Sequence, residues 1–185
     1  MASTYPTSLD VFTNPLAADL LTSPSHSQQH SDINDAVEAL EAKVAIGNTV
    51  LGTYTTYTPT WTNLTVGNGT SVSAYCQVNN FVHYYGIFIL GTTSSISGNP
   101  IVSLPLTSAN PFSTYNMPFG LTSYHDISAG VIYEGTMIPA SATTSNFRVG
   151  RVNATDLFGA NVSATVPMTW VSTDRIQWNM MYRAA

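Results

Sequence analysis

From Tyr54 onward the apolar residues of this 185-residue chain fall into a period of two, and this alternation limits the possible folds more than any other feature. Successive side chains of a β-strand point to opposite faces, so a period of two marks strands with one face in a core. Val72, Ala74, Cys76 and Val78 alternate in this way, as do Ile176, Trp178, Met180 and Tyr182. We read strands at residues 53–58, 61–66, 71–79, 81–91, 100–104, 115–124, 127–138, 145–152, 161–170 and 175–183. Turn signals separate them: Gly67-Asn68-Gly69, Asn79-Asn80, Ser97-Gly98-Asn99-Pro100 and Ala109-Asn110-Pro111. Many short strands with Gly, Asn and Pro turns predict a mainly β chain whose residues 50–185 form an antiparallel β-sandwich of the jelly-roll kind. About 130 residues suffice to bury one core.

A different period governs the stretch SHSQQHSDINDAVEALEAKVAIGN, Ser25 to Asn48. His26, His30, Ile33, Val37, Leu40 and Val44 recur at spacings of 4, 3, 4, 3 and 4, the a/d seam of a coiled coil. Ser27 and Ser31 are acceptable N-caps, Asp32 and Asp35 suit the positive end, Lys43 suits the negative end, and Gly47-Asn48 is a stop signal. Isolated helices shorter than roughly 12–15 residues are marginal in water, so this stripe needs a cover. The chain's own β-domain is one candidate. The regular seam favours identical copies, and residues 26–47 are predicted to form an oligomerising helix in which His26 and His30 are polar layers that set register.

Residues 1–25 cannot build a core of their own. Pro6, Pro15 and Pro24 hold the backbone extended, while Tyr5, Leu9, Val11, Phe12, Leu16, Leu20 and Leu21 make it more apolar than a solvated tail. The expectation is an extended arm lying on a neighbouring protein, with Tyr5, Pro6, Leu9, Val11, Phe12, Pro15, Leu20 and Leu21 as its anchoring residues.

Charge narrows the choice of partner. Only 8% of residues are charged, with 5 basic against 10 acidic and a formal net charge of −5. Average soluble proteins carry roughly 25%. Lys43, Arg148, Arg151, Arg175 and Arg183 are too scattered to neutralise a phosphate backbone, which disfavours nucleic acid. No run approaches the ~20 apolar residues of a membrane span, and MASTYPTSLD lacks the basic and apolar regions of a secretory signal. Synthesis and folding in a reducing cytoplasm are therefore expected. The lone Cys76 excludes an intramolecular disulfide framework, and its place in the alternation predicts a small core residue.

Motifs for chemistry are sparse. Neither the dinucleotide fingerprint, the P-loop nor the nucleophile elbow occurs. Asp126, Glu134, Asp156 and Asp174 are the carboxylates of the β-region, and any scattered set would allow the acid–base pair of a glycosidase. His125-Asp126 are strand neighbours and point apart, and His83 reads as a residue of a sheet face or interface. His26 and His30 have the i,i+4 spacing that can share a metal, but Gln28 and Gln29 replace the Glu of a zinc-protease motif. We expect no enzyme, no metal and no cofactor. The aromatics Tyr54, Tyr57, Trp61, Tyr75, Tyr84, Tyr85, Tyr115, Tyr124, Tyr133, Trp170, Trp178 and Tyr182 leave sugar binding open, because exposed Tyr and Trp serve carbohydrate and protein interfaces.

Several stretches then converge on one resemblance. Tyr5-Pro6-Thr7-Ser8-Leu9-Asp10, Phe12-Thr13-Asn14-Pro15 and HSQQHSDINDAVEALE (His26–Glu41) resemble the N-terminal module of virion surface proteins of tailed bacteriophages, especially those infecting actinobacteria. YTPTWTNLTVGNGTSVSAYCQVNNFVHYYGIFILGTTSSISGNPIVSLP, Tyr57 to Pro105, is similar to a β-module of phage minor tail proteins and of head-fibre or decoration proteins. Relatives often carry Gly-Lys where this chain has Asn79-Asn80, a change that preserves the turn because Asn accepts the left-handed conformation. The resemblance spans roughly residues 5–105. It implies a homotrimer, an arm that binds the major capsid protein, and an outward head on the virion surface. A capsid decoration protein or head fibre is the first reading. The alternative is a minor tail or receptor-binding protein that attaches to tail proteins and recognises host cell-surface glycan.

Overall fold

The structure, a computed structural model, describes residues 26–44, 52–109, 117–152 and 157–185, of which 41–44, 151–152 and 157–158 by backbone alone. The anchoring arm, residues 1–25, lies outside the described residues. The chain divides between Thr53 and Tyr54 into two units. In the first, among the described residues, an α-helix, α1, spans His26–Val44. It starts ahead of Ser27, so Asp32 and Asp35 fall beyond its first turn. Gln28 Nε2 donates to Asp32 Oδ1 one turn on, at 2.8 Å.

The second unit is a curled antiparallel sheet of ten strands. In chain order these are β1 Thr55–Thr56, β2 Trp61–Thr65, β3 Thr70–Val78, β4 Phe81–Ile89, β5 Ser95–Ser103, β6 Gly120–Asp126, β7 Val131–Pro139, β8 Thr144–Val152, β9 Leu157–Asn161 and β10 Arg175–Arg183. Their spatial order is β1-β3-β4-β10-β6-β7-β8-β5-β2, with β9 added to β8. The C-terminal strand therefore runs up the middle, paired with β4 on one side and β6 on the other.

Curling follows from the identity of the end strands. β1 and β2 are successive in sequence, so the two ends of the sheet are one short stretch of chain. Residues 57–60 bridge them. Tyr57 N donates to Ser73 O at 2.9 Å on the β3 side. The Tyr57 hydroxyl meets Ser103 Oγ at 2.7 Å and donates to Leu104 O at 3.1 Å on the β5 side. Inside the curl, Trp61 from β2 stacks on Phe147 of β8 at 5.8 Å, with Trp178 of β10 edge-on at 5.5 Å. Tyr84, Phe88, Tyr124, Ile176 and Met180, each buried, complete the core. At roughly 1.5–3 kcal/mol for each large apolar side chain buried, this cluster is the main stabilising term of the unit.

The β10 alternation faces as expected: Ile176, Trp178, Met180 and Tyr182 are all buried. The β3 alternation is inverted. Val72 is exposed and Cys76 half-buried on the outer surface, while Ser73 is the buried residue, so Cys76 is not a core residue. The cause is Trp178, whose ring fills the space beside Ser73 and opposite Gly86, where any added Cβ would strike it. Only a small residue fits inward at Ser73, while further along β3 Tyr75 turns inward against the core beside Tyr84 and Tyr57.

Other differences have local causes. Ser97-Gly98-Asn99-Pro100 is not a turn but part of β5, which carries a bulged pairing with β2 between Thr62 and Leu64. Asn63, in the left-handed region at φ 59°, spans the bulge and donates to Asn99 O at 2.9 Å. The expected strand at 53–58 shrinks to Thr55–Thr56 because the following residues form the bridge. The strand expected at 161–170 ends at Asn161, beyond which a short Ser163–Val166 bridge interrupts the path. The Gly67 and Asn79 turns form as read, both at positive φ. Ala109 is described, and Asn110-Pro111 and Tyr115 lie outside the described residues.

Candidate functional site

Because both faces of the central strands carry apolar side chains, the outer face is where a partner or ligand has something to bind. Register makes the face contiguous. Val72, Ile87, Gln177, Ser123 and Glu134 are successive partners across β3, β4, β10, β6 and β7. Two residues along, Ala74, Tyr85, Asn179, Leu121 and Thr136 form the next row. Between them lies a groove of about 570 Å³, floored by Gly86, Trp178, Thr122 and Gly135. Pockets of this size with a few fixed polar groups are the usual form of a binding site.

Hydrogen bonds hold the polar groups of this face in place. His83 Nδ1 lies 2.6 Å from the Tyr54 hydroxyl, and its Nε2 lies 2.7 Å from Asn179 Oδ1. The amide oxygen accepts only, which sets the proton on Nε2 and makes Tyr54 the donor to Nδ1. Tyr85 closes this group edge-on to Tyr54 at 5.2 Å. On the other side, Ser123 Oγ donates to Gln177 Oε1 at 3.3 Å and contacts His125 Nε2 at 3.2 Å. The amide oxygens of Gln177 and Asn179 are thus engaged by neighbours.

The carboxylates have separate duties. Glu134 is exposed at the groove. Asp126 organises the β6–β7 turn, accepting from Ala129 N and Ser128 Oγ at 2.8 Å each. Those two donors hold its carboxyl below the usual range, Ala129 N–H foremost. Asp174 is fully buried and accepts from Val171 N at 2.8 Å and Ile127 N at 3.1 Å. Asp156 lies outside the described residues. Among the described residues no three His, Cys, Asp or Glu side chains converge as a metal set. No helix among them is long and apolar enough to cross a membrane.

Most of the aromatic candidates belong to the core. Tyr84, Tyr124, Trp178 and Tyr182 are buried, and Tyr57, Trp61, Tyr75, Tyr133 and Trp170 pack partly buried against them. Burial pushes the Tyr84 and Tyr124 hydroxyls above their ordinary range and that of Tyr182 up to about 12. Of these candidates Tyr54 and Tyr85 are exposed on the outer face, as is Phe81.

The second site is the seam of α1. Ile33 is 53% exposed, Val37 48% and Leu40 51%. Val44 ends the helix, and its side chain is not among those described. His26 and His30 stand edge to face, with Nε2 atoms 3.1 Å apart, so one ring donates to the other. The anchoring set Tyr5, Pro6, Leu9, Val11, Phe12, Pro15, Leu20 and Leu21 lies outside the described residues. The Tyr54–His83–Asn179 group escaped sequence reading, which placed His83 on a face but could not supply its partners. Comparison of the chain with protein-family models, with curated proteins and with solved structures finds no match.

Proposed function

We propose that this chain is a structural protein of a bacteriophage particle, a homotrimeric capsid decoration protein or head fibre. In this reading residues 1–25 bind the major capsid protein, residues 26–47 bundle three chains as a coiled coil, and residues 50–185 form the outward head, a sandwich of the jelly-roll kind. The observation that carries it is the stripe Ile33, Val37 and Leu40, apolar at coiled-coil spacing and exposed in the single chain. The resemblance of residues 5–105 to phage surface modules supports the particle setting. Three weak arms on one bundle engage together, and linking binding elements in this way raises attachment about 10²–10⁴-fold over a single arm.

The test is deletion of residues 1–25. The shortened chain should remain a folded trimer and no longer sediment with particles. Continued attachment would remove the anchoring role. A second reading, a tail component that recognises host surface glycan, draws on the outer groove, where Tyr85 and the amides of Gln177 and Asn179 adjoin Glu134. Binding of the intact chain on a glycan array, together with its location at the tail tip, would favour it.

A further inference from the structure

We infer that the outer face of β3, β4, β10, β6 and β7 is an interface between copies of this chain, the groove included. The inference rests on the homotrimer of the preceding section and names where the heads touch. Its first support is the apolar load of the face: Leu121 is 71% exposed, Ile132 59%, Val72 58% and Met181 54%. Antiparallel sheets with one solvated face commonly alternate apolar-in and polar-out, a pattern this outer face departs from. Patches of this kind on a soluble surface mark interaction sites.

Area, polarity and charge all select a second copy as the cover. Four strands of nine residues and β6 of seven, ~4.8 Å apart and ~3.4 Å per residue, cover about 700 Å². That is close to the ~800 Å² each partner contributes to a standard protein interface. The polar groups within the face are hydrogen-bonded sideways, His83 to Asn179 and Ser123 to Gln177, so the face can lose water without stranding their shared atoms. The fixed charges are of both signs, Arg175 and Arg183 on β10 and Glu134 on β7, so cations of one copy can face the carboxylate of another. Finally, the seam of α1 is uncovered in the same chain. Bundling three helices raises the heads to millimolar effective concentration, where a contact of ordinary size closes.

Methionine oxidation of the full chain provides the test. Met181 lies on the face, and its neighbour Met180 is in the core at 1% exposure, so one peptide reports both surface and fold. In mild peroxide, Met181 of the native protein should oxidise at least tenfold more slowly than in urea. In the double variant Val72→Glu, Leu121→Glu, Met181 should react within twofold of the unfolded rate while Met180 stays protected. Fast Met181 oxidation in the native wild-type protein overturns the interface. If that happens at trimeric mass, the helix seam survives alone. If it happens at monomeric mass, the trimer fails with it. Protection that requires added soluble peptidoglycan fragments also overturns the inference and makes the groove a glycan site. Particle attachment is read separately, so loss of the arm's role leaves this result unchanged.

Discussion

Asp174 shows how much one residue contributes to this fold. Its buried carboxylate accepts from Val171 N and Ile127 N, tying the start of β10 to the turn after β6. Asp174→Ala leaves those donors unpaired, and hydrogen bonds to charged groups are worth about 1.5–3 kcal/mol each. We expect urea unfolding to show a loss of about 3 kcal/mol, and a loss below about 1 would contradict this role. Asp126 acts instead through pH. Its folded carboxyl is held below the unfolded value, so its contribution is present above the unfolded pKa and lost as pH falls through the folded one. Asp126→Asn should therefore flatten the acid limb of the stability curve and leave its neutral-to-alkaline shape unchanged. An identical acid limb in both proteins would refute it. Sequence alone suggested neither role, because both depend on backbone donors that only the folded turns supply.

At the scale of elements, the sheet closes because β1 and β2 are one stretch of chain bridged by Tyr57. Tyr57→Phe removes the hydroxyl bonds to Ser103 and Leu104 and should cost about 1–2 kcal/mol. Ser103→Ala also loses the acceptor of Thr60 N, so the double-mutant cycle should be sub-additive by the shared Tyr57–Ser103 bond alone. Full additivity would mean that the bridge is not a unit. β10 was legible in the sequence because every second residue is large and apolar. β3 was legible as a strand but not in its facing, since Ser73 points inward only to make room for a tryptophan 105 positions away, at Trp178. Likewise the Tyr54–His83–Asn179 group joins residues 29 and 96 positions apart, and strand pairing, not local pattern, brings them together. Helix α1 was legible from its spacing. Val37→Asp with Leu40→Asp should turn the assembly into monomers while leaving the sheet's near-ultraviolet aromatic signal unchanged, and an unaltered mass would discount the seam.

The described residues leave apolar side chains exposed on α1 and on the outer sheet. Linked in one chain, each surface makes the other's contact intramolecular once the first has formed. A trimer that covers both is the simplest state in which this composition, 8% charged, keeps its apolar side chains from water. The proposed trimer would gather three copies of residues 1–25 for attachment. Light scattering on the purified full-length chain tests this claim most directly. The account predicts three times 19.8 kDa, held on dilution to about micromolar, the range in which weak interfaces fall apart. A monomer of 19.8 kDa at that concentration would contradict it.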